Sequence, residues 1–261
     1  MYLSQLLVNT GSDPDKPRPG LDWIKQTYRV HQRIWMAFPD DKRRTADPFF
    51  LGTWAPEESA KPRRSESGFL FRIEPDRPTR ILVQSLLRPD WDYAFQNAPY
   101  LLSEPPQVRD FEPSFRSGES YRFRLVMLMV KRRTSRSEEG QPPAESERVT
   151  EHPIRCLLPP DANGGVARPD PNQTAWRERL FQAAGRHGFQ VSDDPRLLRV
   201  QPTKNLRMKS EGRKQATSFN AATFDGLLTC TDPSQMRNAV INGVGRGKAF
   251  GMGLLSLAVL R

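Results

Sequence analysis

Cysteine is nearly missing from this 261-residue chain: Cys156 and Cys230 are the only two, far apart and in no Cys-x-x-Cys pair. That count excludes a disulfide framework and a thiolate zinc site, and two reduced thiols in a cytoplasmic protein are the simplest account. Histidine is almost as scarce. His31, His152 and His187 are scattered and share no ligand spacing with either cysteine, so neither a metal nor another cofactor is expected. No apolar run approaches the roughly 18 residues of a membrane helix. No basic amphipathic anchor stands out, and Met1–Thr10 does not read as a secretory leader. The expected setting is the cytoplasm, with no membrane partner.

Positive charge is what the chain has in excess. Forty Lys and Arg face 30 Asp and Glu, a net charge of +10, which favours a polyanionic partner. The length suits one large domain or two small ones, and 24 prolines with 36% hydrophobic residues fit long polar excursions between ordered elements.

Glycine is concentrated near the end, where positions 243, 245, 247, 251 and 253 surround Arg246 and Lys248 and run into the apolar stretch Leu254–Leu257. A Walker loop would need glycine at 242 and Ser or Thr at 249, where the chain has Asn242 and Ala249. A dinucleotide fingerprint from Gly243 or Gly245 would need glycine at 248 or 250, and meets Lys248 or Phe250. Two readings remain. The tract is either a tight flexible connection, or an anion cradle in which backbone N–H groups and the two cations converge.

In chain order, Tyr2–Val8 reads as a strand. Asp22 is a plausible N-cap for a helix over 23–38, whose positions 24, 28, 31, 35 and 38 form one apolar stripe ending at Pro39. Phe69–Ile73 and Arg80–Leu86 pair about a Pro-Asp-Arg-Pro turn. A short helix at Trp91–Ala98 and a strand at Val108–Phe115 then complete β-α-β-β-α-β. The second half repeats that order. Tyr121–Val130 is the strongest strand signal, 132–150 reads as a disordered insertion, and Gln173–His187 is an amphipathic helix ending at Gly188. Strands follow at Leu197–Gln201 and Thr217–Leu228. Asp232 caps a helix to Ile241, and the glycine tract leads into a last strand over Leu254–Leu260. The fold expected is α+β: two tandem ferredoxin-like (RRM-like) domains with antiparallel sheets, divided as 1–118 and 119–261, with a C-terminal glycine-rich loop.

Two clusters could carry chemistry. His31 lies on the helical stripe three positions after Tyr28, so the two side chains are neighbours. A histidine on such a stripe is commonly a hydrogen-bonded core residue. The alternative is a general base or acid titrating near neutrality, with Tyr28 holding substrate. RNA carries its own nucleophile in the 2′-OH, so such a pair needs no metal to cut it. The second cluster is Lys204, Arg207, Lys209, Arg213 and Lys214, interrupted by the turn signal Ser210-Glu211-Gly212, which reads as a basic β-hairpin or as a solvated loop. Trp54 and Trp91 could stack on bases or pack internally.

The glycine tract, in its form Gly-Val-Gly…Lys…Gly-Met-Gly-Leu-Leu-Ser-Leu, resembles the C-terminal loop of the CasE family of CRISPR endoribonucleases. Met1-Tyr2-Leu3-Ser4 and Tyr28-Arg29-Val30-His31-Gln32-Arg33-Ile34-Trp35 match the same family in the same order. The resemblance implies the tandem ferredoxin-like fold, and it carries the family's histidine and tyrosine of the first helix onto His31 and Tyr28. It implies that the basic hairpin runs along the stem of a CRISPR repeat RNA. Lys204, Arg207, Lys209, Arg213, Lys214, Gly243, Gly245, Arg246, Gly247 and Lys248 are then the expected RNA-binding residues. It further implies metal-independent cleavage at the base of the hairpin, with the guide RNA retained among other Cascade subunits. The rival expectation is an RNA-binding subunit of a CRISPR ribonucleoprotein that does not cut.

Overall fold

The computed structural model describes residues 1–11, 18–38, 68–134, 149–153, 157–158, 168–170, 173–208 and 217–260. The first sheet contains β1 (Tyr2–Leu7), β2 (Phe69–Glu74), β3 (Arg80–Ser85) and β4 (Gln107–Asp110), in the antiparallel order β2-β3-β1-β4. That order is the ferredoxin-like one, with the first strand in the middle. β1 buries alternate residues Ser4, Leu6 and Val8, while Leu3, Gln5 and Leu7 are half-buried, as expected when one face is covered by helices. The covering helices are α1 (Pro19–Ile24), α2 (Thr27–Trp35) and α3 (Trp91–Phe95). Their core includes Val30, Ile34, Phe69, Phe71, Ile81, Val83 and Phe95. Trp91 belongs to this core as well: it is buried and its indole N–H donates to Ser4 Oγ at 3.1 Å, so it is no stacking platform. Trp54 lies outside the described residues.

The second sheet repeats the plan. β5 (Ser120–Leu128) lies between β12 (Thr217–Cys230) and β13 (Ser256–Val259), and β12 also pairs with β10 (Phe189–Val191) and β11 (Leu198–Met208). Between β5 and β10 come two short pairs, β6 (Val130–Thr134) with β7 (Val149–Pro153) and β8 (Leu157–Leu158) with β9 (Arg168–Pro169). The helices are α4 (Thr174–Arg186) and α5 (Pro233–Asn242). α5 starts as the sequence reads, with the Asp232 carboxylate accepting from the N–H groups of Ser234 and Gln235. Leu125, Met127, Leu180, Phe189, Phe224, Leu228 and Met236 fill the second core.

Several expectations are corrected. The helix over 23–38 is two helices, because Pro19 opens α1 early and Trp23 turns into the core, edge-on to Phe95 at 5.8 Å. Asp22 is then a first-turn residue of α1 that pairs with Lys25 at 2.8 Å, and not an N-cap. β4 stops at Asp110 because its ladder with β1 ends at Tyr2, with one further bond from the Phe111 N–H to the Met1 carbonyl. The flanks of the segment expected to be a disordered insertion are strands: β-branched Val130, Thr134, Val149 and Thr150 favour the β6–β7 ladder. Residues 135–148 lie outside the described residues. The last strand begins at Ser256, two residues late, because the Leu254 carbonyl accepts from a side chain of the other sheet.

That side chain is Arg72 on β2, and it joins the two halves. Arg72 is 4% exposed, and its Nε donates to Glu74 Oε1 at 2.7 Å. Nη1 donates to the carbonyls of Arg124 (3.2 Å) and Leu254 (3.1 Å), and Nη2 to Ser256 Oγ at 3.0 Å, while Nη2 and Glu74 Oε1 form an ion pair at 2.6 Å. The guanidinium thus makes four hydrogen bonds, three of them to the other half. Glu74 Oε2 also accepts from Arg124 Nη1 at 2.7 Å, and Arg124 Nε reaches Asp225. On neighbouring β3, the buried Gln84 amide donates to the Val240 carbonyl in α5 at 2.5 Å.

Candidate functional site

α2 buries Thr27, Val30 and Ile34, a 3-4 spacing that settles which face meets the core. The stripe expected to be buried, with Tyr28, His31 and Trp35, is instead the flank at the rim. Tyr28 and Trp35 are 37% and 36% exposed, and His31 is half-buried. The imidazole lies over β2, stacked on Phe69 at 5.2 Å and Phe71 at 6.1 Å between ring centroids. Tyr28 and Trp35 stand on either side of it at 6.0 and 5.9 Å. A ring held among aromatic neighbours and still open to solvent has a fixed direction of approach, which an interior histidine does not need.

The glycine tract comes to the same place from the other half. α5 ends at Gly243, whose N–H donates to the Ala239 carbonyl at 2.8 Å. The loop is closed at its base by the Val244 N–H donating to the Gly253 carbonyl at 2.8 Å, and the Gly253 N–H donates to Val126 of β5 at 2.9 Å. Gly247 and Gly251, at φ 85° and 75°, bracket a single 3-10 turn, Lys248–Phe250. All five glycines of the tract have positive φ. At Gly243 a Cβ would also lie 2.9 Å from the methyls of Leu70, so backbone and β2 meet there without room for a side chain. Val244, Met252, Leu254 and Leu255 are buried and anchor the loop. The base of the tract is thus tied down, while its tip at Gly245 and Arg246 is exposed.

The turn presents Phe250 to Tyr28, with ring centroids 6.0 Å apart. The Tyr28–His31 pair and the glycine loop, read apart from each other in the sequence, thus come together in one candidate site. Phe69, Phe71 and Phe250 were missed as members of it. Phe250 carried a usable signal, as the one aromatic inside the glycine tract. Lys248 is half-buried, and burial pushes its amine below the ordinary lysine value. Burial lowers His187 too, helped by the charges of Arg186 and Lys248, which places that histidine near the loop. Gly245 and Arg246 are exposed at the tip. Of the basic cluster, Lys204 and Arg207 lie on β11, while Lys209, Arg213 and Lys214 lie outside the described residues.

Two antiparallel sheets in ferredoxin-like order, joined by a buried ionic contact and sharing one aromatic and glycine-lined site, define a tandem ferredoxin-like protein. A family model for CRISPR-associated proteins matches residues 1–259, and the chain belongs to that family, in its CasE group. It is 29% identical over 195 residues to the CRISPR-associated endoribonuclease Cse3 of Thermus thermophilus, covering 72% of this chain and 79% of that protein. It is 23% identical over the full length of both chains to the CRISPR system Cascade subunit CasE of Escherichia coli. A solved structure of CRISPR endoribonuclease Cse3 bound to a 19-nucleotide RNA superposes with a TM-score of 0.60 at 25% identity, covering 98% of each chain. Among the described residues, no helix is long and apolar enough to cross a membrane.

Proposed function

We propose that this chain is a metal-independent endoribonuclease that cuts CRISPR repeat RNA at the base of a hairpin and keeps the product as a subunit of a Cascade-type complex in the cytoplasm. The observation that carries this reading is the placement of His31 and Tyr28 on the open flank of α2, against Phe250 of the glycine loop. Similarity to an endoribonuclease and to a Cascade subunit supports RNA as the substrate and Cascade subunits as partners.

In this reading the imidazole of His31 takes the proton of the 2′-OH, and the resulting oxygen attacks the adjacent phosphorus in line. The P–O5′ bond breaks and the departing 5′-oxygen takes a proton from water, leaving a 2′,3′-cyclic phosphate and a 5′-OH. Tyr28 holds the phosphate at the rim. The glycine tract cradles RNA with backbone N–H groups, with Arg246 and Lys248 supplying charge. The cluster from Lys204 to Lys214 neutralises stem phosphates, since an A-form major groove is too deep and narrow to be read by base edges.

The test is labelled repeat RNA incubated in excess chelator with wild type and with His31→Ala. Wild type should yield a cyclic-phosphate product. His31→Ala should cut about 100-fold more slowly or less, yet bind the hairpin within a few-fold, because a base acts mainly in the transition state. A strict requirement for magnesium would overturn the mechanism. An RNA-packaging subunit that does not cut would bind the hairpin and leave it intact in both forms.

A further inference from the structure

The ionic contact between the sheets is placed where it can do more than hold them together. β2 alternates, as any strand does, between two sides. From one side Phe69 and Phe71 form the floor under His31. From the other, Leu70 touches Gly243 and Arg72 reaches the last strand of the second sheet. One strand therefore touches both the imidazole and the glycine loop.

The bonds fall at the two ends of that loop. Arg72 Nη1 holds the carbonyl of Leu254, the residue directly after Gly253 where the loop ends. Gln84 Nε2 holds the carbonyl of Val240, in the last turn of α5, where the chain enters the loop. Both donors are buried and both belong to the half that carries α2. The loop's own closure, Val244 N–H to Gly253 carbonyl, fixes its shape but not its position relative to His31. Arg72 and Gln84 tie both ends of the loop to the half that carries His31.

We propose that Arg72, assisted by Gln84, is a positioning residue for RNA cleavage: it sets the glycine loop, with Phe250 and Lys248, in register with Tyr28 and His31. The proposal rests on the ribonuclease reading above. Neither side chain lies at the rim, so neither need touch RNA, and their effect should fall on the rate of the bound complex. In-line attack tolerates little misplacement, and a shift of about 1 Å can cost about 100-fold.

The substitution that isolates this role is Arg72→Lys. It keeps a cation beside Glu74 but offers a single nitrogen, which cannot serve the carboxylate, two carbonyls and a hydroxyl together. Single-turnover cleavage at saturating hairpin RNA should fall about 10- to 100-fold, with hairpin Kd within about 3-fold of wild type and a single cooperative melting transition. Gln84→Met, which removes the other tie while keeping bulk, should show the same split between rate and affinity. A folded Arg72→Lys protein cutting at the wild-type rate would overturn the proposal and leave the ribonuclease reading intact. Equal losses of rate and affinity, or a failure of both variants to fold, would reduce Arg72 and Gln84 to structural roles and overturn it too. If wild type itself does not cut, the ribonuclease reading fails, and the proposal with it.

Discussion

The ring of Phe250, at the centre of a glycine loop, lies 6.0 Å from the ring of Tyr28, on a helix of the opposite half of the chain. Tyr28 in turn lies 6.0 Å from His31. Phe250→Ala removes the only aromatic link among the described residues between the loop and that helix. Cleavage at saturating RNA is expected to fall about 10-fold, with Phe250→Leu intermediate because it keeps part of the packing. Equal rates for all three proteins would show that the contact is incidental.

Lys248 and Gly245 separate the loop's charge from its backbone. Lys248→Ala should weaken hairpin binding and reduce the salt dependence by roughly one unit of slope if the amine meets a phosphate. Its effect on melting should be small, since among the described residues no fold-holding bond depends on its amine. Gly245→Ala meets only Met127 Cε at 3.7 Å, so it clashes with nothing, yet its φ of 81° strains an L-residue by about 1 kcal/mol. It should therefore lower the melting temperature slightly as well as RNA affinity. Unchanged affinity in both well-folded variants would remove the loop tip from the RNA interface.

For the basic cluster, Arg207 and Arg213 replaced together should flatten the plot of log K against log salt by roughly one unit for each phosphate no longer neutralised. Cleavage of bound RNA at saturation should change less. A plot parallel to wild type would leave these cations facing solvent.

The contact between the sheets also makes a pH forecast. Burial alone would raise the Glu74 carboxyl, but the guanidiniums of Arg72 and Arg124 outweigh it and hold the group below its ordinary value. The folded state thus binds the proton less readily than the unfolded one. The stabilisation is complete above the ordinary carboxylate range and is lost as pH falls through the lowered value. Glu74→Gln should melt well below wild type at pH 7, and the gap should narrow as the solution is acidified. A gap independent of pH would mean that Glu74 contributes no proton-linked stability.

The succession of strands in the first half, α5 with its Asp232 cap, and the pairing of Tyr28 with His31 were legible in the sequence because each rests on local spacing, whereas β10 and the short pairs β6–β7 and β8–β9 were not read. The buried face of α2 was not. The regular spacing of Tyr28, His31 and Trp35 reads as the apolar stripe, although Thr27, Val30 and Ile34 pack inward and the rings gather at the rim. The split between α1 and α2 depends on Trp23 meeting Phe95, a contact between distant residues that no local pattern records. Arg72 looked like one more cation in a basic chain. Its burial follows from acceptors 52 and 182 positions away, so only the assembled sheets disclose it.

That sequence distance has a consequence for how the molecule is made. Residues of the first sheet leave the ribosome long before β13, which contributes Ser256 and, just ahead of it, the Leu254 carbonyl. Glu74 stands two residues from Arg72, so the nascent first half carries its cation already neutralised but short of its backbone acceptors. The joint between the halves therefore closes only after both sheets have been synthesised. A polypeptide released before Leu254 would have all four strands of the first sheet and an open, unlatched seam.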